Sequence, residues 1–270
     1  AIATAGTYYI KLTPTSAPCP AIKPVVVTFN VPPTLLITDP PAVCDPNTVN
    51  ITDLLVTTGS DPGTLSYWQD ANATVPLTTP NAIKVSGTYY IKLTSAAGCI
   101  SIKPVKVNTN SLPNSLAGPD VTICSGVTTA SIGSAPVNGY TYEWSPVSGL
   151  TNPNIANPGI TTTNNGTTPI KTTYTLTTIV AATGCKATDN VDVIVNPQPV
   201  LIITDPAPVC TPSKVDIANP AVTINSTAIG GGTLTYWTNA TATVPLTTPP
   251  NAVSASGTYY IKVVVAGGCE

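Results

Sequence analysis

The sequence predicts an all-β chain of tandem β-sandwich repeats forming an elongated rod, and three observations carry that prediction. The chain repeats itself, its apolar residues alternate with a period of two, and short proline-bearing segments join its repeats. Residues 63–99 read GTLSYWQDANATVPLTTPNAIKVSGTYYIKLTSAAGC and residues 232–269 read GTLTYWTNATATVPLTTPPNAVSASGTYYIKVVVAGGC, two copies of one module. Self-similarity of this kind sets the architecture, because each copy is one supersecondary unit stacked on its neighbours.

The last third of the module also opens the chain. Residues 6–11 (GTYYIK) match residues 87–92, and Ile22-Lys23-Pro24 matches Ile102-Lys103-Pro104. Residues 1–30 therefore read as the C-terminal part of a truncated repeat (repeat 1), and residues 31–113 as a complete one (repeat 2). Residues 114–197 form a related module, repeat 3, with AGPDVTICSG near its start, YTYEWSP in its middle and TYTLTTIVAATGCKATDNVDVIV toward its end. Residues 198–270, repeat 4, lack the last strand, so both ends cut through a repeat as expected of a segment of something longer. The joints are Val31-Pro32-Pro33, Leu112-Pro113-Asn114 and Pro197-Gln198-Pro199. Proline restricts φ and keeps its neighbours extended, so these joints are semi-rigid spacers and the array is expected to be stiff.

Within a repeat, Tyr89, Ile91 and Leu93 alternate with Tyr90, Lys92 and Thr94, the pattern of a half-buried antiparallel strand. Val191, Val193 and Val195 alternate with Asp192 and Ile194 in the same way. Ile100 and Ile102 change register to Val105 and Val107 across Pro104, which predicts a bulge there. Short strands separated by Asp-Pro, Gly-Ser, Asn-Gly and Ala-Gly-Gly turns point to sandwiches of about seven strands. Trp68, Trp144 and Trp237 occupy similar points on a middle strand and are expected to fill the sandwich cores. Tyr90 and Tyr260, with Lys92 and Lys262, form an outward row that could touch a sugar or a neighbouring subunit and is read as a solvated strand face.

Composition restricts function. A hydrophobic content of 42% supports packed cores, while only 8% of residues are charged, against about 25% in an average domain. Thr, Ser and Asn must cover the surface instead, as on extracellular stalks. Histidine, arginine and methionine are absent and the net charge is -2, which excludes nucleic acid as a partner. No apolar run is long enough for a membrane helix, so membrane insertion is not expected in this segment. Without histidine the Ser-His-Asp and Cys-His nucleophile arrangements are excluded. Most carboxylates read as turn formers: Asp39, Asp61 and Asp205 precede proline and Asp120 follows it. Only Asp189 and Asp192 lie close together, too few for calcium. No catalytic, cofactor-binding or metal-ligating residue is assigned, and the chain is not read as an enzyme.

The seven cysteines are disulfide candidates and imply an oxidising compartment. Cys44, Cys124 and Cys210 follow the first strand of a repeat, whereas Cys19, Cys99, Cys185 and Cys269 lie at the turn between its last two strands. Pairing inside repeats would join Cys44 to Cys99, Cys124 to Cys185 and Cys210 to Cys269, leaving Cys19 over. Geometry opposes it: the first turn and the last hairpin turn lie at opposite ends of a sandwich, about 20 Å apart, and a disulfide needs Cα atoms within about 7 Å. The alternative joins neighbouring repeats, Cys44 to Cys185 and Cys124 to Cys269, with Cys19, Cys99 and Cys210 pairing further along. Zinc is the remaining alternative, without CxxC spacing or histidine to support it.

The AGPDVTICSG…YTYEWSP…TGCKATDNVDVIVNP pattern of residues 117–197 resembles the Ig-like or PKD-like repeats of giant surface proteins from Bacteroidetes. The VC-x-P…GTYYIK…AAGC units resemble their sister Ig-like repeats. Trp144 is followed by Ser145-Pro146-Val147 rather than the WDFGDG turn of PKD modules, which favours the Ig-like label. The resemblance implies tandem Ig-like β-sandwich repeats in a gliding-motility type adhesin, exported by the type IX secretion system to the cell surface. Its partners would be extracellular surfaces or glycans bound through other regions, the secretion and surface-motility machinery, and neighbouring repeats. The alternatives are a subunit of a polymerised extracellular filament and the noncatalytic tail of a secreted hydrolase.

Overall fold

The computed structural model describes residues 1–16, 19–229 and 231–270, and the chain forms two compact units, Ala1–Ser111 and Leu112–Glu270. Among the described residues the ordered elements are β-strands and three short 3-10 turns, with no α-helix.

The first unit opens with an antiparallel hairpin of β1 (Gly6–Leu12) and β2 (Ala21–Val27). It continues with β3 (Val43–Cys44), β4 (Thr64–Trp68), β5 (Gly87–Thr94), β6 (Ile100–Val107) and β7 (Thr109–Asn110). Strands β4, β5 and β6 make an antiparallel sheet in that order, and β3 pairs with β7 in parallel. The opposite layer is drawn together by the bridge between Val49 and Ile83. Between the layers lies a core of Leu35, Val49, Ile51, Ile91, Leu93, Val105 and Val107, among others. The alternation in GTYYIKLT produces this layering: successive side chains point to opposite faces, so Ile91 and Leu93 enter the core while Tyr90 and Lys92 face out.

The expected bulge at Pro104 is absent. Pairing of β5 with β6 runs without interruption from Gly87–Val107 through Tyr90–Pro104 to Thr94–Ile100. Ile100 and Ile102 belong to the outer face and Val105 and Val107 to the inner one, so the apparent register change is a switch in which face is apolar. Strand β6 is an edge strand, where the missing proline donor need not serve a neighbour.

The second unit holds β8 (Val121–Cys124), β9 (Tyr140–Ser145), β10 (Ile170–Val180), β11 (Lys186–Asn196), β12 (Thr233–Trp237) and β13 (Tyr260–Val264). Repeat 3 forms the sheet β8-β11-β10-β9, parallel between β8 and β11 and antiparallel elsewhere. Its core gathers Ile132, Trp144, Leu150, Ile160, Tyr174, Leu176 and the Val191, Val193, Val195 row. In repeat 4, β12 pairs with β13.

The tryptophans divide. Trp144 is 2% exposed, inside the core, and its indole N–H donates to the Ile155 carbonyl at 2.9 Å. Trp68 and Trp237 are half-buried on the outer faces, opposite Tyr90 and Tyr260, contrary to the expected core position. In YTYEW the inward positions are Tyr140, Tyr142 and Trp144, whereas in TLSYW and TLTYW they are Leu65 and Tyr67, or Leu234 and Tyr236. The tryptophan is shifted by one position, and one position exchanges faces. Burial accordingly raises the Tyr67 and Tyr236 phenol pKa values above the usual range.

Candidate functional site: a disulfide between consecutive repeats

Strand β8 of repeat 3 ends at Cys124, opposite Asn196 at the end of β11, and the Ser125 N–H donates to the Asn196 carbonyl at 2.9 Å. The turn after β13 packs onto this floor. Two backbone bonds close the turn, Val265 N–H to the Cys269 carbonyl at 2.9 Å and Gly268 N–H to the Val265 carbonyl at 3.0 Å. Gly267 has φ +81, and a Cβ there would lie 2.1 Å from Nδ2 of the buried Asn196, so only glycine fits.

Cys124 and Cys269 form a disulfide with Cα atoms 5.5 Å apart across a sequence separation of 145. It joins the first strand of one repeat to the hairpin turn of the next. Cys269 is buried and belongs to a small apolar cluster with Val263, Val265, Leu201, Ile229 and Leu234, against which Cys124 packs. Closing a loop of this length stabilises the folded state by about 5 kcal/mol in the chain-entropy model. Cys44 and Cys185 are disulfide-bonded as well, while Cys19, Cys99 and Cys210 are free thiols. Pairing within repeats is therefore overturned: Cys124 bonds Cys269 rather than Cys185, and Cys99 and Cys210 are unbonded. The physical reason is the one that opposed it, since the two cysteines of a repeat lie at opposite ends of its strands.

The outward row gains a member that the sequence had assigned to the core. The Lys92 ammonium sits 5.8 Å from the centroid of the Trp68 ring, whose indole N–H donates to Ser66 Oγ at 2.9 Å. In repeat 4 the Trp237 indole donates likewise to Thr235 Oγ1, and Lys262 pairs with Glu270. The signal that could have found this is the one-residue offset of the tryptophan in TLSYW.

Four carboxylates bind backbone across long sequence separations, whereas Asp53, Asp70 and Asp216 accept from N–H groups two to five residues along and shape local turns. Asp39 accepts from the Lys106 N–H at 2.8 Å, Asp61 from Thr34 at 2.6 Å and Asp120 from Asp192 at 2.9 Å. Asp189 accepts from the Ala117 N–H at 2.8 Å. Asp192 is held by Lys171 at 2.7 Å and by the Thr173 hydroxyl, and these two donors lower its pKa. Asp39, Asp61, Asp120, Asp189 and Asp192 are each engaged by the fold, and among the described residues no three metal-ligating side chains converge.

No protein-family model matches the sequence, and no curated protein matches it. Similar solved structures include Drosophila OTK extracellular domains 3–5, at 15% identity and TM-score 0.36, covering 71% of each chain. The N-terminal eight Ig domains of Down syndrome cell adhesion molecule match at 14% identity and TM-score 0.27, over 77% of this chain and 35% of that one. Mouse cadherin-23 EC22–24 matches at 13% identity and TM-score 0.30, over 77% of this chain and 82% of that one. Scores this low add nothing to the strand pairing described above, on which assignment to Ig-like sandwich repeats rests.

Proposed function

We propose that the chain is part of an extracellular structural and adhesive protein whose Ig-like repeats serve as a stiff spacer. The observation that carries the reading is the Cys124–Cys269 bond. A disulfide between consecutive repeats restrains the joint they share, and it persists only in an oxidising environment. With proline on both sides of Gln198, the joint of repeats 3 and 4 resists bending by two independent means. Neither device is needed by a catalyst, and both suit a stalk that must transmit force. The repeats themselves are non-enzymatic in this reading.

The finer reading follows from the sequence resemblance: a giant bacterial cell-surface adhesin of the gliding-motility type, exported by type IX secretion, with surface or glycan specificity held in other regions. Fully reduced denaturing electrophoresis of surface material, with mass-spectrometric identification of these peptides, tests the parent protein. The expected band lies far above the 27.5 kDa of this chain, and a band near that mass defeats the single-chain adhesin. Peptide mapping without reduction is expected to recover Cys124 linked to Cys269, and a Cys124–Cys185 peptide would defeat the staple between consecutive repeats.

A further inference from the structure

Between Asp70 and Asp120 the chain carries Lys84, Lys92, Lys103 and Lys106, four of its ten lysines, and none of its twelve acidic residues. Strands β5 and β6 of repeat 2 hold the last three. Among the described residues the ion pairs are Lys171–Asp192 and Lys262–Glu270, so no carboxylate neutralises this sheet. A positive surface has been gathered locally on a chain whose net charge is -2.

The same sheet presents a row of rings. Trp68 of β4 lies opposite Tyr90 of β5, Tyr90 lies opposite Pro104 of β6, and on its far side Trp68 bridges to Pro76. Directly opposed residues share a face, and strands lie about 4.8 Å apart, so four rings form a platform about 14 Å across on the outer face. Pro76 and Pro104 are exposed and Trp68 and Tyr90 half-buried. Lys92 follows Tyr90 by two residues and Lys106 follows Pro104 by two on the antiparallel neighbour, so the row has one lysine on each side, about 7 Å away.

The platform is preorganised and its polar groups are open. The bond from the Trp68 indole to Ser66 fixes the ring on the sheet. At 5.8 Å the Lys92 ammonium stands near the outer limit of a cation–π contact, which leaves both ring and charge available to a ligand. The Tyr90 hydroxyl has no hydrogen-bond partner among the described residues. Repeat 3 has nothing comparable: a middle row of its outer face reads Glu143, Thr177 and Thr188, and its tryptophan is in the core.

We infer that the outer face of repeat 2 binds an acidic polysaccharide. A pyranose ring presents an apolar face of C–H groups, which the negative face of an aromatic ring attracts. Sugar rings lie on Trp68 and Tyr90, their carboxylates meet Lys92 on one side and Lys106 on the other, and the Tyr90 hydroxyl bonds a sugar hydroxyl. This binding belongs to the repeat itself, in addition to any specificity held elsewhere in the polypeptide. It does not rest on the stalk reading, and its failure would leave the inter-repeat disulfide untouched.

The test uses the full 270-residue chain with Cys19, Cys99 and Cys210 replaced by serine, so that no intermolecular disulfide forms. Titration with oligogalacturonate is expected to shift the Trp68 indole N–H resonance and the amides of Tyr90, Lys92 and Lys106, and to leave the buried Trp144 indole unmoved. Trp68→Ala should weaken binding about tenfold, as for loss of a stacked ring. Lys92→Gln and Lys106→Gln, which leave the sheet intact, should each weaken it about threefold and flatten its salt dependence. Lys186→Gln, the same charge change on repeat 3, should alter nothing. Absence of binding at millimolar oligogalacturonate overturns the inference, as does equal binding of a neutral malto-oligosaccharide or of polyglutamate. Shifts confined to Trp144 or Trp237 overturn it, and so does concentration-dependent self-association lost in Trp68→Ala, which would make a second copy the occupant of this face.

Discussion

The octapeptide GTYYIKLT occurs at residues 6–13 and again at 87–94, and its two copies meet different fates. Both form a hairpin with an IKPV strand, and the registers coincide: Tyr8 opposite Val25 and Tyr9 opposite Pro24 in one, Tyr89 opposite Val105 and Tyr90 opposite Pro104 in the other. Burial differs completely. Ile10 and Leu12 are 63% and 65% exposed, whereas Ile91 and Leu93 are 0% and 1% exposed. Identical side chains pair identically, so the ladder and its turn are specified locally. What is not local is the second layer, because Ile91 and Leu93 are covered by Leu35, Val49, Ile51 and Val56 from elsewhere in the repeat. A two-stranded hairpin is at best marginal alone, and its apolar face matters energetically only once that layer is present.

The hairpin turns offer the sharpest way to break this comparison. Cys99 and Cys269 occupy equivalent turns, one a free thiol and the other joined to Cys124. Cys269→Ser is expected to cost the second unit about 5 kcal/mol, as loss of a long-loop crosslink, while Cys19→Ser and Cys99→Ser should stay within about 0.5 kcal/mol. Guanidinium denaturation of the three variants checks the ordering, and equal midpoints would mean that the disulfide adds nothing to the fold.

The next effect lies in the strands. Ile91→Ala or Leu93→Ala should destabilise the first unit by about 2–5 kcal/mol, whereas Ile10→Ala and Leu12→Ala should change it by less than about 0.5 kcal/mol. Equal losses at the paired positions would show that the first hairpin has a covered face after all.

The repeats, the strand alternation and the turn cysteines were legible in the sequence because each follows from spacing along the chain. Trp68 and Pro104 were not, and the two failures share a cause. Both residues sit where the apolar pattern changes faces, at Tyr67-Trp68 and at Lys103-Pro104-Val105, and a single-strand pattern does not say which face a neighbouring strand will cover. The long-range roles of Asp39 and Asp120 escaped for a related reason. Asp-Pro and Pro-Asp are turn signals, but the backbone donors these carboxylates reach lie 67 and 72 residues away. The Cys124–Cys269 link was readable only as the geometrically favoured of two schemes, since cysteine order alone allows both.

The smallest expected effect separates repeats 2 and 4 by a single atom pair. After YW, repeat 2 has Asp70 where repeat 4 has Asn239, and both cap the same loop. Asp70 accepts from the backbone of Val75, Thr74 and Asn72; Asn239 Oδ1 accepts from Thr243 and Val244. The Val75 N–H, followed by its neighbours, lowers the Asp70 pKa below its ordinary value of 3.8. A carboxylate whose folded pKa is depressed contributes stability above its unfolded pKa and loses it as pH falls through the folded value. The 70–75 loop should therefore loosen below about pH 4, while the 239–244 loop, capped by an amide that does not titrate, should not. Amide protection factors at Val75 and Val244 between neutral and strongly acidic pH measure the difference, and Asp70→Asn should make the first loop behave like the second. Parallel loss of protection at both amides would assign the acid response to the sandwiches as a whole rather than to this carboxylate.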